Sequence, residues 1–211
     1  MAHFLKGIRK NPFLMKKTLF SVLAVAACLS FTACTNETDS KDIAEDRNEQ
    51  KIEDSTMNTM NMPGSDNDVK DDADFAVKAA DGGMMEVQLG ELAQKNGANA
   101  QVKSFGKMMV DDHTKANNEL KALAAKKNIT LPATMSNDNQ EMYNDMMKKT
   151  GTDFDKAYVD HMVDDHEDDV EMFRKQSMNA ADPDIKAFAA KTLPTLEMHL
   201  QKIKEIKAMM K

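Results

Sequence analysis

Four stretches of about 25 residues carry apolar side chains at steps of three and four, the spacing that gathers them on one face of an α-helix. Phe75, Ala79, Gly82, Glu86, Leu89 and Ala93 share the first such face, which Asn96-Gly97 brings to a stop. Val102, Phe105, Met109, His113, Ala116, Leu120 and Leu123 share the second, which ends near Asn128 before Leu131-Pro132. Phe154, Tyr158, Met162, His166, Asp169 and Phe173 share the third, with Thr152 or Asp153 as its expected cap. Asp182-Pro183 opens the fourth as a cap followed by a first-turn proline, and Ile185, Phe188, Ala189, Leu196, His199, Ile203 and Ile206 follow on its face. Between the second and third, Asn137 to Lys149 fits a short extra helix with Met142, Tyr143 and Met146. An amphipathic helix must bury its stripe against others, and short links between long helices predict an all-α, up-down four-helix bundle. Pro194 falls opposite the apolar stripe, so a kink there costs no buried hydrogen bond. Gly82-Gly83 either admits a close neighbour or marks a break.

Composition agrees with this. Aromatics are only 5% of the 211 residues, Trp is absent and Met numbers 19, which suits helices better than a sandwich rich in β-branched and aromatic side chains. The formal net charge of −7 excludes the basic footprint that nucleic acid requires.

The N-terminal residues read as an address. Lys16-Lys17 precedes a mostly apolar run from Thr18 to Leu29, too short to span a bilayer and right for a signal-peptide core. Phe31-Thr32-Ala33-Cys34 resembles a lipobox with Phe in place of the usual Leu, so residues 1–33 are expected to leave as a lipoprotein signal and Cys34 to be lipidated. Cleavage by an ordinary signal peptidase, without lipid, is the alternative. Removal of 1–33 takes away Lys6, Arg9, Lys10, Lys16 and Lys17 and no acid, which leaves 23 basic against 35 acidic residues. So acidic a chain is held at a membrane by acyl chains rather than by its surface. Residues 34–70 are polar and expected to form a disordered tether, with the bundle over 71–211. Within the tether, Met57, Met60 and Met62 are either incidental or a soft Cu(I) site.

The informative polar residues lie on the apolar faces. Glu86, His113, His166 and His199 give each long helix one metal-capable group near its middle. Buried alone, each would cost several kcal/mol, so together they imply a shared polar centre. Asp169 shares the face of His166 as a possible fifth ligand, while Asp112 and Asp165 stand at the stripe edges, placed to orient imidazoles. Met109-Val-Asp-Asp-His113 recurs as Met162-Val-Asp-Asp-His166, either as two equivalent helix midpoints or as coincidence of composition. Imidazole and carboxylate suit Zn, Fe, Cu or Ni. Spacing opposes a tight mononuclear site. Glu86 lies 10 residues before Asn96 but His113 lies 15 after Ala98, a mismatch of roughly 7 Å along a helix axis. A metal-free network that fixes helix register is therefore the leading reading, and a metal site the alternative. No nucleophile motif, P-loop or Gly-rich nucleotide loop is present.

The segments AADGGMMEVQLGELAQKNG, VKSFGKMMVDDHTKANNEL, FDKAYVDHMVDDHEDDVEMF and IKAFAAKTLPTLEMHL, in this order, resemble the bacterial family called domain of unknown function 4142. The resemblance covers about Asp71 to Met210. It implies a ferritin-like four-helix bundle in an outer-membrane or secreted setting and places recurrent polar positions at Glu86, Asp112, His113, Asp165, His166 and His199. It implies no reaction, and no helix carries the Glu-x-x-His of di-iron bundles. The expectation is thus a lipid-anchored, stress-related, non-enzymatic protein of the outer membrane, facing periplasm or exterior, with no nucleic-acid partner and no identified protein partner. The alternative is a metal-binding protein or metal-dependent oxidoreductase using Zn, Fe or Cu.

Overall fold

The computed structural model describes residues 39–58 and 65–210. Among them are six helices and no strand: α1 (Ser40–Asn58), α2 (Asp66–Asn96), α3 (Ala100–Lys127), α4 (Asn137–Met147), α5 (Gly151–Asn179) and α6 (Pro183–Met209). The signal segment, Cys34, Met60 and Met62 lie outside the described residues.

Local chemistry sets the boundaries. Ser65 and Asp68 form a reciprocal capping box at the start of α2. Asn99 caps α3, and Asn128 closes it in the left-handed conformation at φ 58°. Asp182 accepts from the amides of Asp184 and Ile185 ahead of Pro183. Helix α5 departs from expectation: Thr150 holds the cap position, its side chain makes no capping bond, and Gly151 supplies the turn with φ +64°. Pro194 is exposed inside a continuous α6.

Helix α2 packs along α3, and α5 along α6. Short links throughout predicted that every helix would run against the next. Instead α3 and α5 run the same way. Asp155 at the start of α5 accepts from the amides of Ala98 and Asn99 at the start of α3, and Asp72 near the start of α2 accepts from Gln176 near the end of α5 and from the Asp182 amide. The 128–150 connection, which contains α4, carries the chain back between the two ends. Each hairpin's first helix thereby clamps the other hairpin's turn with a buried carboxylate.

Residues 40–58, expected within a disordered tether, form α1, and α2 begins at Asp66 rather than near 71. The expectation failed because α1 has almost no apolar face to read, Ala44 being the fully buried apolar contact. Its docking is polar. Asn48 donates to the Thr130 carbonyl at 2.9 Å and accepts from the Thr130 amide at 2.6 Å, Ser40 accepts from the amides of Ala133 and Thr134, and Asp39 accepts from the Asn137 amide.

Two apolar clusters fill the space between the long helices. One gathers Leu89, Phe105, Met109, Phe154, Met162 and Ile203 near the α2–α3 turn. The other gathers Phe75, Leu120, Phe173, Ile185, Phe188 and Leu196 near the α5–α6 turn. Glu86, His113, His166 and His199 fall in sequence between residues of the first cluster and residues of the second on all four helices.

Candidate metal centre

The four expected side chains are all buried, with exposures of 1% for Glu86, 5% for His113 and 0% for His166 and His199. They meet. Glu86 Oε2 lies 2.6 Å from His113 Nδ1 and Glu86 Oε1 3.5 Å from His166 Nε2. The imidazole centroids are 5.8 Å apart for His113 and His166, 5.4 Å for His113 and His199, and 5.5 Å for His166 and His199. One potential ligand atom from each histidine lies within 4.8 Å of those of the other two. A point among three atoms so spaced need be no more than about 2.8 Å from any of them, so shifts under 1 Å reach the 2.0–2.2 Å of zinc–nitrogen bonds.

The axial mismatch counted along the chain is absent because register is set by packing. Gly90 and Gly106 bring the backbones of α2 and α3 together, since a Cβ on Gly90 would sit 2.5 Å from the Gly106 carbonyl oxygen. Gly83 makes room for the Asn117 side chain on α3. Between these two contacts Glu86 and His113 stand level.

Two of the imidazoles are held in defined orientations. His166 Nδ1 is 3.0 Å from the Met162 carbonyl, which can only accept, so Nδ1 carries the proton and the Nε2 lone pair faces the centre. His199 Nε2 donates to Asp112 Oδ2 at 2.8 Å, which leaves the Nδ1 lone pair inward. These two free nitrogens and His113 Nε2 are buried without a hydrogen bond from any described residue, whereas Glu86 Oε2 lies 2.6 Å from His113 Nδ1 and Glu86 also faces the Asp165 carboxyl. Native interiors rarely leave even one such atom unsatisfied. A cavity of about 20 Å³ lined by Glu86, His113, Asn117 and Asp169 adjoins them, room for one water or ion.

Burial dominates the electrostatics of these groups. Burial holds the imidazolium pKa values of His113 and His199 down to about 4 and that of His166 well below the ordinary range, and neighbouring histidines press the last two further down. Burial raises Glu86 to about 8 and Asp169 to about 8, the latter aided by the Glu86 charge. Asp165 is raised well above the carboxylate range by burial and then by Glu86 and Asp169. All three histidines thus stay neutral at pH 7, as metal coordination requires.

Asp112 stands behind an imidazole. Asp165, the same position in the second Met-Val-Asp-Asp-His copy, faces Glu86 instead, with a ligand atom within 4.8 Å of those of Glu86 and His166. Two carboxyls can bond only across a shared proton or a cation. The two copies are therefore equivalent in placement: each buries its methionine, Met109 or Met162, gives one histidine to the centre, and turns the preceding Asp toward a ligand on another helix. Sequence reasoning did not find Tyr158, whose buried hydroxyl has no partner among the described residues and whose pKa is raised by burial and by Glu86 and Asp165. The signal was the exchange of Phe105 for a phenol at the matching position of the second copy. His161 is set apart; among the described residues it joins no group of potential metal ligands.

The family model Domain of unknown function (DUF4142) matches residues 58–206. No curated protein and no solved structure matches the chain.

Proposed function

The chain belongs to the family Domain of unknown function (DUF4142), and from the geometry of its core we propose that it is a metal-binding protein of the cell envelope, a ferritin-like four-helix bundle that holds one transition-metal ion with His113, His166, His199 and Glu86. The observation that carries this is the convergence of one buried nitrogen from each of His113, His166 and His199 within 4.8 Å of one another, with Glu86 Oε1 3.5 Å from His166 Nε2, between two apolar clusters. A hydrogen-bond network that only fixed register would pair its donors and acceptors, because an unmet buried polar group costs about 1–3 kcal/mol. The single long crossover between α3 and α5 supports the ferritin-like reading of the bundle. Three imidazoles and a carboxylate form a four-donor set suited to Zn, Fe or Cu. Four protein donors satisfy a tetrahedral ion and leave no open position, which favours holding an ion over turning over a substrate.

The envelope part of the proposal rests on Lys16-Lys17, the apolar run and Phe31-Thr32-Ala33-Cys34, with lipidation at Cys34 as the anchor. Among the described residues no helix is long and apolar enough to cross a membrane. Mass spectrometry of the N-terminal peptide from membrane fractions tests the anchor, with loss of membrane association in Cys34→Ser as the expected result. Metal analysis of protein purified without chelator tests the centre. One equivalent of Zn, Fe or Cu, lost in the His113→Ala, His166→Ala double variant, is expected. Wild type that neither arrives with metal nor takes up added Zn, Fe or Cu would leave the buried network as the correct reading.

A further inference from the structure

A glycine inside a helix costs about 1 kcal/mol against alanine and needs a reason. Gly83, Gly90 and Gly106 have one, because a Cβ on each would strike a neighbouring helix. Gly82 does not: a Cβ there meets nothing within 4 Å. What Gly82 lines is an open pocket of about 600 Å³ between α2 and α5. Asp165, Asp168 and Asp169 of α5 form its acidic wall, Lys41 of α1 and Asn139 of α4 also line it, and the acidic side chains around it outnumber the lysines.

The pocket abuts the centre. Asp165 lines it and also belongs to the ligand group with Glu86 and His166, and its Oδ2 is buried. Glu86 lies one helical turn after Gly82, on the same face. Asp169 lines both this pocket and the small cavity beside Glu86 and His113. On the other side of the centre, Asp112 is already engaged by the His199 N–H.

We propose that the Gly82 pocket is the port through which a hydrated divalent cation reaches the histidine centre, and that Asp165 passes the ion from the pocket to Glu86 and His166. A carboxylate is the fitting relay, because it replaces water in the shell of a divalent ion before the imidazoles do. Gly82 keeps the mouth open by having no side chain. The inference rests on the metal-binding reading, and uptake rate separates the two.

The test is stopped-flow uptake of Co(II) by the metal-free full chain, with the equilibrium constant measured separately by chelator competition. Gly82→Leu should leave the affinity of the centre unchanged and slow uptake by about tenfold or more, the scale on which a charged cleft accelerates capture of ions. Gly82→Ala should load at close to the wild-type rate. Asp168→Asn, on the exposed rim where folding is not at stake, should slow uptake and flatten its dependence on salt. Unchanged uptake rates in Gly82→Leu and Asp168→Asn would overturn the port and leave the metal centre standing. A wild-type chain that takes up no Co(II) would remove both.

Discussion

Asp112 Oδ2 accepts the Nε2 proton of His199 at 2.8 Å, so a side chain on α3 decides which nitrogen of an α6 imidazole faces the core. Carboxylates behind metal-bound histidines fix the tautomer and typically contribute 10–100-fold in affinity. Asp112→Ala should therefore weaken Zn binding by about that factor while one equivalent still binds, whereas Asp112→Asn, which can accept the same N–H, should lose less. Titration calorimetry against a competing chelator gives both numbers. Equal affinity in Asp112→Ala would mean that His199 is oriented by packing alone.

The metal-free protein should grow less stable as pH rises from 6.5 to 8. Glu86 titrates near 8 in the folded state against an ordinary 4.5, so the folded chain keeps a proton the unfolded chain has lost, and stability falls as pH climbs through that window. His113 and His199, held at about 4 against 6.5, act oppositely, but most of their contribution is in place by pH 6.5 and the remainder, about 0.4 kcal/mol each between pH 6.5 and 8, offsets only part of the Glu86 loss. From Glu86 alone the loss between pH 6.5 and 8 is roughly 1.5 kcal/mol. Bound Zn should reverse the slope, since the ion takes the carboxylate ionised and the imidazoles neutral. Urea unfolding at the two pH values, with and without Zn, checks the sign. A metal-free protein more stable at pH 8 would contradict the buried, protonated Glu86.

What the chain disclosed on its own was periodicity and punctuation. Asn96-Gly97, Asn128 and Asp182-Pro183 end or start helices where they should, because caps act within a few residues. Glu86, His113, His166 and His199 could be singled out because each sits on an apolar stripe, a purely local oddity. Their common level could not be read, because it depends on Gly90 meeting Gly106 and on Asp155 holding the α2–α3 turn, both contacts between distant segments. Helix α1 was missed for the opposite reason: Asn48 and Ser40 dock through the backbone of the 130–134 segment, and such pairing leaves no hydrophobic pattern.

Gly90→Ala should destabilise the protein although alanine is the better helix former. The substitution gains about 1 kcal/mol of propensity. It also places a methyl 2.5 Å from the Gly106 carbonyl oxygen, a backbone atom that cannot turn aside, and 3.1 Å from Met109 and Val110 side-chain atoms. Forcing helices apart in a packed core costs about 1–3 kcal/mol, so a net loss of up to about 2 kcal/mol is expected, or several degrees in Tm. Because this crossing sets the level of Glu86 against His113, Zn affinity should fall with it. Calorimetric melting and Zn titration of one preparation test both. A higher Tm would show that the two helices separate without cost.

Asn48→Leu should free α1 and leave the rest of the fold intact. Asn48 is 3% exposed and satisfies both the carbonyl and the amide of Thr130, so leucine would leave two backbone groups unpaired at a buried contact, at a cost of about 1–3 kcal/mol each. Beyond Ala44 the anchors of α1 to the 128–137 segment are polar, from Asp39, Ser40 and Lys51, each worth about 1 kcal/mol, so losing both Thr130 bonds removes a large share of what holds the helix. The five other helices keep their own clusters and the Asp72 and Asp155 clamps. Hydrogen exchange should therefore show residues 40–58 losing protection in the variant while the amides around His113 and His166 keep theirs, with Tm lowered by only a few degrees. Loss of protection throughout would mean that α1 is an integral part of the domain rather than an arm laid across the 128–137 segment.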